Sequence, residues 1–155
     1  MFVRTITLVV AALSLSAGLL AADDPFMGTW KQNASKSPQM APDRQRNVVR
    51  KYEPIPNGLK LSWEAIDDKG EVTRWVVEVK FDGKDYPVVG NAGFDTLALK
   101  RVDQYTIEGT SKKDGLVAVE LRWVVSKDGK TMTRTEKRFR PVERAGTTSE
   151  VYEKQ

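Results

Sequence analysis

The chain has 155 residues, with 25 Lys and Arg against 21 Asp and Glu, a formal charge of +4, and neither His nor Cys. Those two absences remove the imidazole base, the thiolate nucleophile, disulfides and the soft metal ligands, so catalysis would have to rest on carboxylates, Lys, Tyr or Ser. The small basic excess is interspersed with acids and is weak evidence for a polyanionic partner.

Residues 1–22 have the pattern of a secretory signal peptide. Arg4 supplies the basic start, Ile6 to Leu20 an apolar run, and Ala21-Ala22 precede an abrupt change to Asp23-Asp24-Pro25. Cleavage is expected after Ala22, leaving 23–155 as one domain and taking the charge from +4 to +3 with the loss of Arg4. The apolar run is shorter than the roughly 20 residues of a spanning helix, so no membrane span is expected after cleavage. The expected location is periplasmic or secreted.

The rest of the chain alternates short β-favouring runs with turn signals. Residues 26–31 (Phe-Met-Gly-Thr-Trp-Lys) are the first expected strand, and 32–43 a loop with room for one helical turn. A second strand is expected over 44–53, with Val48, Arg50 and Tyr52 on one face, ended by Pro54, Pro56 and Asn57-Gly58. Leu59, Leu61, Trp63 and Ala65 then alternate with polar residues, and beyond Asp68-Lys69-Gly70 so do Thr73, Trp75, Val77, Val79 and Phe81. Asp82-Gly83 leads to a short strand near 85–89. Leu97 and Leu99 mark the next strand, and Tyr105, Ile107 and Gly109 the one after. After Asp114-Gly115, residues 116–126 place Val117, Val119, Leu121, Trp123 and Val125 on one face. Asp128-Gly129 introduces 130–139, rich in Thr but polar on both faces, as in a strand that lines a wet interior or sits at an exposed edge. A last strand is expected over 147–154. Asn-Gly and Asp-Gly supply the positive φ angles of tight hairpins, so the expected fold is all-β: a single antiparallel up-and-down meander of about 8–10 strands closed into a barrel.

Few residues carry chemistry. Trp63, Trp75 and Trp123 lie on apolar strand faces, where they either fill a core or present flat walls to a ligand. Arg101 continues the face of Leu97 and Leu99, and inside a barrel it would need an internal acid or a ligand anion. The acid pairs Asp23-Asp24 and Asp67-Asp68 fall at the start of the domain and in a turn, and Glu78 and Glu120 lie opposite apolar faces. Solvated carboxylates are expected at all of these, so no catalytic residue is assigned and the protein is not expected to be an enzyme. No nucleotide, calcium or zinc spacing occurs, so neither cofactor nor metal is expected. Two basic clusters stand out: Arg44, Arg46, Arg50 and Lys51, and then Arg134, Lys137, Arg138, Arg140 and Arg144. Glu136, Glu143 and Glu150 interrupt the second. It is expected to be a solvated sheet edge guarded by charge, and no nucleic-acid partner is expected.

Phe26-Met27-Gly28-Thr29-Trp30-Lys31 and the final Val151-Tyr152-Glu153-Lys154 resemble the termini of the fatty-acid-binding-protein group of the calycins. Gly28-Thr29-Trp30 is also similar to the G-x-W pattern of lipocalins and avidin-like barrels. Asp82-Gly83-Lys84-Asp85-Tyr86-Pro87-Val88 and Leu99-Lys100-Arg101-Val102-Asp103 resemble small bacterial exported proteins described as lipocalin-like. The resemblance implies a calycin-type barrel in which Gly28 and Trp30 are structural, with Trp30 across one barrel end beneath a basic side chain from a late strand. Two departures matter: 32–43 is too short for a helical lid, and Glu150 stands where those proteins carry the arginine of an Arg-x-Tyr, with Tyr152 in the tyrosine position.

The function expected from the chain is non-catalytic binding of a small hydrophobic or aromatic ligand inside the barrel. Trp63, Trp75, Tyr105 and Trp123 are the expected wall, and Arg101 or Tyr152 the polar handle. The alternative is a packed barrel that acts through its outer surface as an envelope interaction or inhibitor module.

Overall fold

The computed structural model describes residues 24–37, 47–91, 93–142 and 145–155. The leader expected over 1–22 lies outside them, as do Arg44, Arg46, Glu143 and Arg144 of the charged segments. Ten strands occur in chain order: β1 (Gly28–Gln32), β2 (Asn47–Ile55), β3 (Gly58–Ile66), β4 (Val72–Lys80), β5 (Tyr86–Pro87), β6 (Thr96–Asp103), β7 (Thr106–Lys113), β8 (Leu116–Val125), β9 (Thr131–Arg138) and β10 (Gly146–Lys154). Their order across the sheet is β4-β3-β2-β1-β10-β9-β8-β7-β6-β5, antiparallel throughout. Each strand therefore pairs with its chain neighbours, except that β1 and β10 join the two ends of the chain and the β4 and β5 edges of the sheet are linked only by the isolated bridges Val76–Val89 and Asp82–Lys100 among the described residues. The result is a nearly closed up-and-down barrel. Among the described residues its only helix is a 3-10 turn at Ala34–Lys36.

The hairpins form where the turn residues allow them. Asn57 adopts φ 55° between β2 and β3, and Asp114-Gly115 adopt 51° and 76° between β7 and β8, the paired positive angles of a two-residue turn that follows strand twist.

Several strand limits differ from the expected ones. Strand β2 runs through Pro54 to Ile55. Its partner β1 reaches only to Tyr52, so Pro54 lies where β2 has one neighbour and a missing N–H donor is tolerated. Tyr105 lies in the β6–β7 turn, where the Asp103 carboxylate accepts from its N–H at 2.7 Å, and β7 starts at Thr106. A register shift at Ser111/Lys112 changes the parity at the start of β8. Val117 is exposed, and Ala118 and Val119 are both buried.

The largest correction concerns β9. It is not a charged sheet edge: it is paired to β8 on one side and β10 on the other, and Met132, Arg134 and Glu136 are buried. The basic cluster is split by strand alternation, with Arg134 buried and Lys137 exposed. Arg50 and Lys51 of the first cluster divide in the same way, Arg50 buried and Lys51 exposed.

The core runs the length of the barrel. Trp30 is fully buried, its Nε1–H donates to the Phe26 carbonyl at 2.8 Å, and the Lys154 ammonium sits 5.2 Å from its ring centroid. Arg101 forms an ion pair with Asp24 and lies between the rings of Phe26 and Phe81, at 4.9 and 4.5 Å.

Candidate functional site

Two inward rows of side chains follow from strand register. Trp30, Arg50, Trp63 and Trp75 are successive cross-strand partners over β1 to β4. Glu150, Arg134, Trp123, Ile107 and Arg101 are successive partners over β10 to β6. Cross-strand partners share a face, so each row places charged groups among aromatic rings inside the barrel.

The rows meet in one polar cluster. Arg134 Nη2 donates to Glu136 Oε1 at 2.7 Å and Nη1 to Glu150 Oε2 at 3.2 Å, and the Tyr152 hydroxyl donates to the same Glu150 oxygen at 2.9 Å. Above these groups Tyr52 stacks on Trp123 at 5.5 Å between centroids and 14° between planes. Strands β2 and β8 are not neighbours in the sheet, so this stack crosses the lumen. The Arg134 guanidinium lies 5.2 Å from the Trp123 ring centroid and 5.8 Å from that of Tyr152, whose ring also carries the Arg50 guanidinium at 5.2 Å.

Arg50 is 4 % exposed, Arg134 and Glu150 3 %, and Tyr52 1 %. Burial works against the Arg134 charge, but Glu136, both tyrosines and Glu150 outweigh it and keep the guanidinium protonated. Burial pushes the phenols of Tyr52 and Tyr152 above the ordinary range, against the opposing pull of Arg50 and Arg134.

A phenol that ionises less readily in the folded barrel makes the native state bind more protons than the unfolded chain at high pH. Stability then falls as pH rises beyond the unfolded phenol value near 10. An ultraviolet titration should therefore show fewer than the full set of four tyrosines ionising while the barrel is folded, the remainder appearing together with unfolding. Reversible ionisation of all four in the folded barrel would place Tyr52 and Tyr152 in contact with solvent.

The cluster satisfies its acceptors better than its donors. Arg50 Nε and Nη1, Arg134 Nε and Trp123 Nε1 are buried N–H groups without a hydrogen-bond partner, and the Tyr52 hydroxyl is likewise unmatched. Arg50 makes no ion pair among the described residues; its guanidinium lies over the Tyr152 ring and interacts with the hydroxyls of Tyr52 and Tyr152, pulling against the rise that burial imposes on both phenols.

The residues expected from sequence fall into separate groups. Trp123 and Tyr152 belong to the polar cluster. Trp63 and Trp75 stack on each other at 5.8 Å, and Phe94 meets Trp75 edge-on at 5.5 Å, forming an aromatic group beside the β4–β5 seam. Arg101 is engaged by Asp24, and Tyr105 stands in a turn. Arg50, Tyr52, Arg134, Glu136 and Glu150 complete the cluster without having been singled out as site residues. Their signals were the shared face of Val48, Arg50 and Tyr52 and the two-faced polarity of 130–139.

Outside the barrel, an open hollow of about 350 Å³ lies over β7 to β9, lined by Glu108, Gly109, Glu120, Leu121, Arg122, Thr135 and Lys137. Arg122 pairs there with Glu108. Among the described residues no helix is long and apolar enough to cross a membrane, and no group of three or more His, Cys, Asp or Glu is placed to hold a metal ion. Comparison with protein-family models, curated proteins and solved structures finds no match to this chain. The observed barrel is compatible with the calycin-like architecture that its termini resemble.

Proposed function

We propose that this chain is an exported, non-catalytic binding protein that holds a small, largely apolar molecule inside its lipocalin-like barrel. The observation that carries the proposal is the group of unmatched donors on Arg50, Tyr52, Trp123 and Arg134, all facing one buried region. A buried N–H without a partner costs about 1–3 kcal/mol, and a ligand acceptor removes that cost. The Trp63–Trp75 pair supplies flat apolar surface on the Arg50 row, because Trp63 is the cross-strand partner of Arg50. Export rests on the leader pattern of residues 1–22, and the non-catalytic assignment on the chemistry of a chain without His or Cys.

Native mass spectrometry of the protein purified from its own host tests the proposal. The expected spectrum contains a one-to-one complex with a small molecule that denaturing extraction releases. A bare mass, together with a protein partner captured through the exposed β7–β9 face, would replace this reading with that of an outer-surface interaction module.

A further inference from the structure

We infer that the barrel end carrying the β3–β4, β5–β6, β7–β8 and β9–β10 connections docks against the same end of a second copy of this chain. Successive strands run in opposite directions, so every odd-to-even connection emerges at this end and every even-to-odd one at the other. Among the described residues nine large apolar side chains are exposed. Six of them stand in or beside these four connections: Ile66 and Val72, Val89, Leu116 and Val117, and Val142. Val89 and Val142 are 77 and 75 % exposed, so these are outward tips and not the margin of the core. Of the remaining three, Val102 and Val124 lie toward the opposite end and Val76 in mid-strand. Apolar tips raised from separate connections onto one end form a surface that a partner can cover.

Charge identifies the partner. The β3–β4 turn, residues 67–71, carries Asp67, Asp68 and Glu71 against Lys69, three acids less one base, a net charge of −2. Residues 137–142, at the end of β9 and into the next connection, carry Lys137, Arg138 and Arg140 and no acid, a net charge of +3. Lys137 and Arg140 are exposed, and Arg138 also faces Glu136 at 3.5 Å. The β7–β8 turn adds little charge, because Lys112 and Lys113 are paired with Asp85 and Asp95. Round the strand order β9 lies four positions from β3 and five from β4, about half of the ten, so the negative turn and the positive segment stand on opposite sides of one end. A two-fold axis lying between two such ends sets the negative turn of each copy over the positive segment of the other, and the contact is made twice. The same rotation carries Ile66 and Val72 of each copy toward Val142 of the other. A uniformly anionic surface would meet the β3–β4 turn with like charge, whereas a second copy matches both poles. Phe94 lies in the β5–β6 connection, and Trp63 and Trp75 are three residues from Ile66 and Val72, so the second copy covers the end nearest that aromatic group.

Sedimentation velocity over a concentration series tests this with two charge variants, Asp68→Lys with Glu71→Lys and Lys137→Glu with Arg140→Glu. The unaltered protein should pass from monomer to dimer, and salt should weaken the dimer. Each variant alone should dimerise about tenfold or more weakly, because every reversed charge is met twice in a two-fold interface. An equimolar mixture of the two variants should form a one-to-one heterodimer, since the reversed poles are complementary, and native mass spectrometry separates it from either homodimer. Circular dichroism reports whether each variant folds. If either does not, Leu116→Ser with Val142→Ser decides: the dimer should weaken, while Val102→Ser with Val124→Ser at the other end should leave it unchanged. A monomer at every concentration, a dimer indifferent to the variants at both ends, or folded charge variants that stay apart when mixed would overturn the inference. A monomer that floats with phosphatidylethanolamine–phosphatidylglycerol vesicles, and loses that with Leu116→Ser and Val142→Ser, would overturn it in favour of a lipid surface.

Discussion

Replacing Arg134 by Met is expected to cost the barrel about 3–5 kcal/mol, read as a lowered midpoint in urea. The loss comes from what remains, not from the contact removed. Glu136 and Glu150 stay buried on β9 and β10 after the guanidinium that bridges them is gone, Glu136 keeping Arg138 at 3.5 Å and Glu150 the Tyr152 hydroxyl, and the ring faces of Trp123 and Tyr152 lose the cation packed over them. Buried charges are expensive in proportion to what they lack, so a variant that also neutralises the acids, Arg134→Met with Glu136→Gln and Glu150→Gln, should recover most of the loss. Non-additivity of that kind identifies the three as one network. A single variant within about 1 kcal/mol of the parent would mean that Arg134 behaves as a surface ion pair, in conflict with its burial.

The second large effect is expected at Trp30. Trp30→Ala removes a fully buried indole, its 2.8 Å hydrogen bond to Phe26 and the platform beneath Lys154, and should destabilise by about 3–5 kcal/mol. Trp30→Phe keeps most of the ring volume and loses the N–H donor, so it should cost much less, with about 1 kcal/mol from the hydrogen bond. Both are measured by urea unfolding. Equal losses for Ala and Phe would shift the weight from packing to the hydrogen bond.

The two variants act on different parts of one interior. Trp30 fills apolar volume, whereas Arg134 holds a polar cluster that apolar packing alone would not require. The Arg134 network leaves Nε and Nη1 of Arg50, the cross-strand partner of Trp63, without a hydrogen-bond partner.

How much of this was legible in the sequence follows from the range of each interaction. Alternation along single strands gave the inward faces of β3 and β4, and the Asn-Gly and Asp-Gly turns gave the hairpins, because both are local. Arg50 could be placed on the face of Tyr52 by the same rule. Its burial could not be read, since Val49 and Lys51 form an equally ordinary second face. Residues 130–139 announced an unusual strand, but choosing between interior and edge required knowing that β10 returns to cover β9. The Tyr52–Trp123 stack spans the lumen between strands that are not neighbours, and Asp24 reaches Arg101 across 77 positions. Only barrel closure creates those contacts. The bulge at Ser111/Lys112 likewise reversed the facing of Val117 through pairing with β7, which alternation within β8 cannot reveal.

The most direct test of the central claim is a high-resolution crystal structure of the protein purified from its own host without denaturation. Continuous density for one small molecule is expected in the interior, with acceptor atoms within hydrogen-bond reach of Arg50 Nε and Nη1 and its apolar part against Trp63 and Trp75. Ordered waters alone satisfying Arg50, Tyr52, Trp123 and Arg134, with the remaining space filled by side chains, would contradict it and leave the barrel as a packed scaffold.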